Sequence, residues 1–164
     1  MSQTKTTLAP VTEPLNEPNP DFLRLDAQAC FALYSTGLAM NRIYRKLLEP
    51  LGLTYPQYLV MMVLWEKDGV SVNTIGAQLY LDSATLTPLL KRLESAGLIL
   101  RKRCSHDERQ RVIELTEQGL QLKSQAAMVP QQVICATQCS VTELTDLKQN
   151  LEHLRGQLLS QFHG

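Results

Sequence analysis

The strongest constraint on this chain is a change of hydrophobic period between residues 72 and 115. Val72 to Leu79 reads as a short helix, with Ser71 as its cap and Ile75 and Leu79 on one face. Asp82 or Ser83 caps a second helix through Leu86, Leu89, Leu90 and Leu93, which Gly97 ends. Pro88 falls in or just after the first turn of that helix, where a missing N–H is tolerated. Beyond Gly97 the pattern becomes strand-like. Residues 98–103 and 111–115 form two strands, joined by a polar turn from Cys104 to Gln110. A short helix, a tight turn, a second helix and then a basic hairpin predict a winged helix-turn-helix.

The flanks read as helices. Phe22, Leu25, Ala29, Leu33, Met40, Tyr44, Leu47 and Leu51 recur close to a 3.6-residue period, and Pro50 and Gly52 stop them. This first helix is expected to run about 25 residues, a length that suits an interface. Thr54 and Pro56 open a second helix through Tyr58, Leu59, Met62, Val63 and Trp65, stopping near Asp68 and Gly69. Thr116 caps a helix through Leu120, Leu122 and Met128, interrupted at Pro130. Ser140 and Glu143 form a capping box before a last helix through Leu144, Leu147, Leu151, Leu154, Leu158 and Leu159. Four prolines before residue 21 leave residues 1–20 as a disordered arm. The expected fold is mainly α with a small β-hairpin wing. Residues 21–164 form a single domain, with flanking helices 21–51 and 117–162 around a winged helix-turn-helix at 54–116.

Charge supports a nucleic-acid face only when it is resolved along the chain. Sixteen basic residues balance sixteen acidic ones, so the net charge is zero. Residues 83–111 nonetheless carry seven basic residues against three acidic, net +4, which leaves −4 on the remainder. That separation is the footprint of a face meeting DNA phosphates. Ser83, Thr85 and Thr87 at the start of the helix capped by Asp82 or Ser83 are placed to read base edges, with Lys91 and Arg92 reaching phosphates and Arg101 and Arg103 on the wing. No secretory signal is legible, and the longest apolar run, Leu59 to Trp65, is far short of the ~20 residues that span a bilayer. A cytoplasmic protein with no membrane contact is expected, in which Cys30, Cys104, Cys135 and Cys139 are not a structural disulfide set.

Asp107-Glu108-Arg109, followed by Leu115-Thr116, resembles the wing signature of the MarR family of winged-helix regulators. The resemblance implies that Arg109 enters the minor groove with Asp107 as its support. It narrows further at Ala29–Tyr34, at Leu51–Leu59 and at Gln78–Arg92, which resemble the organic-hydroperoxide-sensing OhrR branch over roughly residues 22–160. In that branch the residue matching Cys30 is the peroxide-reactive thiol. The tyrosines matching Tyr44 and Tyr55 come from the partner subunit and stabilise its thiolate. The position of Cys135 is that of the resolving cysteine, so the resemblance implies an intersubunit Cys30–Cys135 disulfide. Cys139 lies one helical turn further on and is the alternative.

Helix geometry agrees with a dimer. Cys30 and Tyr44 are 14 residues apart, which places them on one face but roughly 21 Å apart along an ideal helix. Contact between such residues requires a second copy crossing the first, as in a two-fold homodimer. The chemistry needs a thiolate, and an ordinary thiol is only ~3% ionised at pH 7 unless hydroxyl donors stabilise the anion. Phe22, Phe31, Met40 and Met62 are the apolar candidates for a pocket favouring organic peroxides.

These readings predict a repressor that binds double-stranded operator DNA as a homodimer and leaves it when an organic hydroperoxide oxidises Cys30. The alternative is a repressor released by a non-covalent lipophilic or phenolic ligand. A thiol peroxidase ranks behind both, because an enzyme does not explain the basic wing. No catalytic set of Ser, His and Asp and no Gly-rich phosphate loop stands out, and no cofactor is expected. Cys104 with His106, and Cys135 with Cys139, do not have the spacing of a zinc site, so no metal is expected either.

Overall fold

A computed structural model describes residues 20–103 and 111–161. Two short 3₁₀ turns, Pro20–Leu23 and Leu25–Ala27, precede α1 (Ala29–Leu48). The order continues with α2 (Tyr55–Glu66), β1 (Val70–Ser71), α3 (Val72–Leu79), α4 (Ser83–Ser95), β2 (Ile99–Arg103), β3 (Arg111–Leu115), α5 (Glu117–Ala126), α6 (Val129–Thr137) and α7 (Val141–Ser160). The described chain divides into two compact units. One holds the residues up to Thr36 and those from Ile134 onward; the other runs from Gly37 to Val133 and contains the helix-turn-helix and the strands.

Local chemistry sets the helix starts. The Ser71 hydroxyl accepts from Thr74 N–H at 3.1 Å and opens α3. The Asp82 carboxylate accepts from Thr85 N–H at 2.7 Å and opens α4. Thr116 caps α5 through Gly119 N–H at 3.0 Å. Ser140 and Glu143 make the reciprocal box that opens α7. At α2, Gln57 Oε1 accepts from both the backbone N–H and the hydroxyl of Thr54 at 2.8 Å.

Three expectations need correction. The first helix starts at Ala29 rather than Asp21 and ends at Leu48. Arg24 and Gln28 have extended backbones, and the Arg24–Asp26 ion pair at 2.7 Å spans only two residues, closing a turn in place of a helix. The apolar period continues through that turn and conceals it. The helix after the wing is two helices, because Pro130 is the second residue of α6, where its missing N–H costs no bond. The hairpin has a third strand, too short to show a period: β1 pairs with β3 (Val70 opposite Ile113), giving the order β1-β3-β2.

The core of the second unit lies beneath α4. Leu86, Leu90 and Leu93 are almost fully buried with Ile75, Leu48, Met61, Leu64, Ile99 and Ile113. Each leucine contributes roughly 1.5–3 kcal/mol, so one face of α4 is fixed and the other is left to solvent. The sheet is tied to the turn after α2 through Asp68, whose Oδ1 accepts from Gly69 N–H at 2.8 Å and from Leu115 N–H of β3 at 2.9 Å. Among the described residues no helix is long and apolar enough to cross a membrane.

Candidate nucleic-acid interface and thiol sites

The turn between α3 and α4 is built for close approach. A Cβ on Gly76 would come within 2.8 Å of the Leu81 carbonyl oxygen, and Tyr80 adopts a left-handed φ of +55° to end α3. α4 therefore begins immediately after the turn, with Ser83 and Thr85 exposed and Thr87 half-buried. Thr87 donates to the Ser83 carbonyl at 2.7 Å, so its hydroxyl proton is committed to the backbone while an oxygen lone pair stays available. The Thr85 backbone N–H, followed by its hydroxyl, holds the Asp82 carboxyl below its ordinary range. Lys91 and Arg92 are exposed further along the helix.

The wing cations differ among themselves. Arg101 turns inward: its side chain is only 13% exposed, lies 3.7 Å from Glu94 of α4, and leaves Nε buried without a partner. Lys102 pairs across the hairpin with Glu114. Arg103 ends β2, and exposed Arg111 opens β3. Cys104, His106, Asp107 and Arg109 lie outside the described residues.

Cys30 is exposed, free, and the second residue of α1. Its helix starts eight residues later than the sequence suggests, so the thiol sits in the first turn, whose unpaired N–H groups and dipole present a positive end to an anion. Cys135 near the end of α6 and Cys139 beyond it are also exposed and free. Among the described residues no three His, Cys, Asp or Glu side chains gather as metal ligands.

Tyr44 and Tyr55 meet within one chain. Their rings stack with centroids 4.1 Å apart, and Tyr58 lies 6.1 Å from Tyr44. Trp65 extends the cluster, edge-on to Tyr58 at 6.0 Å. Burial, then the neighbouring Tyr55 and Tyr58 hydroxyls, push Tyr44 up to about 12. Burial raises Tyr58 too. Such phenols stay neutral and remain O–H donors at any physiological pH. Sequence reasoning missed Tyr58 and Trp65 as members of this group, since their helical spacing reads only as core.

Beside the cluster is an apolar cleft of about 370 Å³, lined by Tyr58, Met62, Trp65, Ala126, Ala127 and Pro130, with Glu66 and Lys123 also bordering it. Trp65 Nε1 donates to the Gly119 carbonyl at 2.9 Å and Lys123 donates to the Trp65 carbonyl at 2.8 Å, which fixes α5 against α2. Of the apolar candidates for a pocket, Met62 lines this cleft, and the Phe22 side chain lies outside the described residues. Met40 packs against the core and Phe31 is exposed.

Comparison with known proteins agrees with this geometry. The family model described as transcriptional regulator SarA/Rot matches residues 42–126, just over half of the chain. The organic hydroperoxide resistance transcriptional regulator of Bacillus subtilis (strain 168) is 46% identical over 131 residues, covering 80% of this chain and 89% of that protein. A structure of reduced AbfR bound to DNA superposes with a TM-score of 0.75 at 36% identity, covering 87% of this chain and 98% of that one. A disulfide-formed AbfR gives 0.58 at 40% identity, covering 82% and 94%; AbfR is from Staphylococcus epidermidis. The fold is thus that of a DNA-binding transcriptional regulator, a class of proteins that are not enzymes. The chain belongs to the SarA/Rot and MarR-type winged-helix family, in the branch of the organic hydroperoxide resistance regulators.

Proposed function

We propose that this protein is a homodimeric repressor that leaves its operator when an organic hydroperoxide oxidises Cys30. The observation that carries the reading is Cys30 itself: an exposed thiol in the first turn of α1, in a chain 46% identical to an organic hydroperoxide resistance regulator. The thiolate attacks the O–O bond and takes one oxygen as a sulfenic acid, and the peroxide leaves as an alcohol. The sulfenic acid condenses with Cys135 of the partner subunit, forming S–S and releasing water. Cys139 is the alternative partner. Tyr44, held neutral by burial, and Tyr55, stacked on it, serve as hydroxyl donors to the partner's thiolate.

The exposed apolar faces support a second copy. α7 buries no residue, and Leu147, Leu151, Leu158 and Leu159 are exposed, as are Phe31, Leu33 and Tyr34 of α1. A two-fold dimer covers such faces and sets two α4 helices at half-sites about one DNA turn, ~34 Å, apart. Ser83, Thr85 and Thr87 then meet base edges, and Lys91, Arg92, Arg103 and Arg109 meet the backbone or groove, with Asp107 steadying Arg109.

Cys30→Ser should bind operator DNA in a gel-shift assay and stay bound on adding cumene hydroperoxide, which releases the parent. Release of the variant refutes this function. It would favour the second reading, for which the apolar cleft beside Trp65 is the supporting observation: a lipophilic ligand bound there reversibly, whose action survives both loss of Cys30 and excess reductant.

A further inference from the structure

The end of α6 and the link to α7 carry two exposed thiols four residues apart, and only one is needed to resolve a sulfenic acid. The backbone there is a modified helix cap. Gln138 adopts a left-handed φ of +56°, and its N–H donates to the Cys135 carbonyl at 3.2 Å, the inner bond of a Schellman-type ending. The outer bond, from Cys139 N–H to the Ile134 carbonyl, is replaced by a bridge through one hydroxyl. Cys139 N–H donates to Thr137 Oγ1 at 3.3 Å, and Thr137 Oγ1 donates to the Ile134 carbonyl at 2.7 Å. The Cys139 thiol turns back and donates to the Thr137 carbonyl at 3.4 Å.

In a cap of this kind the residue after the left-handed one folds over the last helical turn. Here that residue is Cys139, and the turn beneath it carries Cys135. The chain reverses at Gln138, so Cys139 returns toward the turn that carries Cys135, and a disulfide between them needs Cβ atoms about 3.5–4.5 Å apart. The cap can yield toward that spacing by giving up the long bond from Cys139 N–H to the Thr137 hydroxyl.

We propose that Cys135 and Cys139 are an exchange pair, in which Cys139 moves the disulfide off Cys30. The step rests on the Cys30 chemistry proposed above. The Cys139 thiolate, its proton lost to solvent, attacks Sγ of Cys135 in the intersubunit disulfide. A Cys135–Cys139 bond forms, the Cys30–Cys135 bond breaks, and Cys30 leaves as a thiolate that solvent reprotonates. No electrons enter or leave. The oxidising equivalent, supplied by one organic hydroperoxide reduced to its alcohol, passes from a link between subunits to a link within one cap. Cys30 is then free to react a second time, so each chain consumes two hydroperoxides, and the subunits are no longer joined.

The test compares the full-length parent with Cys139→Ser. Each receives one equivalent of cumene hydroperoxide per chain and is quenched with N-ethylmaleimide over time. Nonreducing electrophoresis and peptide mass mapping track the products. In the parent the covalent dimer should rise and then decay, as a Cys135–Cys139 peptide appears and Cys30 becomes alkylatable again. In the variant the dimer should persist at least about tenfold longer. Equal persistence in the two proteins, or a stable Cys30–Cys139 link in the parent, overturns the proposal. A second arm removes the first thiol. Cys30→Ser treated with diamide should form the intrachain Cys135–Cys139 bond, and failure to do so overturns the exchange pair even where Cys30 chemistry holds. Should Cys30 stay fully alkylatable after hydroperoxide, the sensing function falls and the exchange falls with it.

Discussion

Replacing Gly119 with alanine tests whether the wing is held by the contact at the start of α5. A Cβ on Gly119 would lie far inside 3.0 Å of the Leu98 carbonyl oxygen, 3.1 Å from the Leu98 carbonyl carbon and 3.3 Å from Leu115 Cδ2. Both Leu98 atoms are backbone, so no rotamer relieves the clash, and α5 must back away by about 1 Å or more to restore ordinary contact. That shift strains a set of bonds made around the same residues. Trp65 Nε1 donates to the Gly119 carbonyl at 2.9 Å, and Thr116 Oγ1 accepts from Gly119 N–H at 3.0 Å. Thr116 Oγ1 also donates to the Gly97 carbonyl at 2.6 Å, and Thr116 N–H donates to the Leu98 carbonyl at 3.1 Å. Losing three of these at about 1 kcal/mol each destabilises the fold by about 3 kcal/mol. For a chain of this size, that lowers Tm by about 6–12 °C. Trp65 is the one tryptophan of the chain, so its fluorescence reports both unfolding and the freed indole. Urea denaturation of Gly119→Ala at matched protein concentration gives the magnitude. Gly156→Ala is the control: it lies in α7 with nothing within 4 Å of its would-be Cβ, so alanine there should be neutral or stabilise by up to about 1 kcal/mol. A Gly119→Ala stability within about 1 kcal/mol of that control would show that α5 does not press on Leu98 as described.

The same unit gives two further expected outcomes. Asp68→Ala leaves Gly69 N–H and Leu115 N–H without their acceptor and should cost about 1–2 kcal/mol; amide exchange at Leu115 should accelerate, and unchanged protection would remove Asp68 from the support of the wing. Tyr44 has its folded value raised from an ordinary 10 to about 12, so its contribution is complete below pH 10 and is lost as pH rises from 10 to 12. Solvent screening of a half-buried ring leaves about 1 kcal/mol of that shift as stability. Tyr44→Phe should therefore flatten the alkaline fall in urea midpoint between about pH 10 and 12, leaving the part due to Tyr58, and an unaltered fall would assign it elsewhere.

How much of the fold and site was legible depended on how local the cause is. Ser71, Asp82, Thr116 and Ser140 each cap the helix expected, because a cap is made by a side chain and a backbone N–H three residues on. The start of α1 was not legible. Phe22 and Leu25 keep the helical period, while the extended backbones at Arg24 and Gln28 break the helix; periodicity sees the former alone. Pro130 reads as a breaker in sequence, yet a proline interrupts only the helix before it and can open the next one. The wing charges were countable, but counting does not show that Arg101 folds back onto Glu94. The stacking of Tyr44 on Tyr55 joins residues on two helices, and only family resemblance marked the pair in advance. Tyr58 and Trp65, without that help, looked like any two aromatic core residues.

The same limit applies to the net charge of zero. Summing charges treats every cation as equal, and the structure divides them by what it would cost to redirect them. The Lys102–Glu114 pair is exposed, and such pairs hold within about 1 kcal/mol, so a phosphate can draw Lys102 away at little cost. Arg101 is different: its side chain is nearly buried beside Glu94, and moving it outward would leave that space empty and lengthen the link between the wing root and α4. Its charge orients the wing relative to α4. Lys91, Arg92 and Arg111 are exposed and make no ion pair among the described residues, and under the proposed function they are expected to displace counterions from DNA. A neutral chain can thus present a basic face, because a cation that holds the wing to α4 is separate from those left exposed, and the compensating acids lie mostly elsewhere in the sequence.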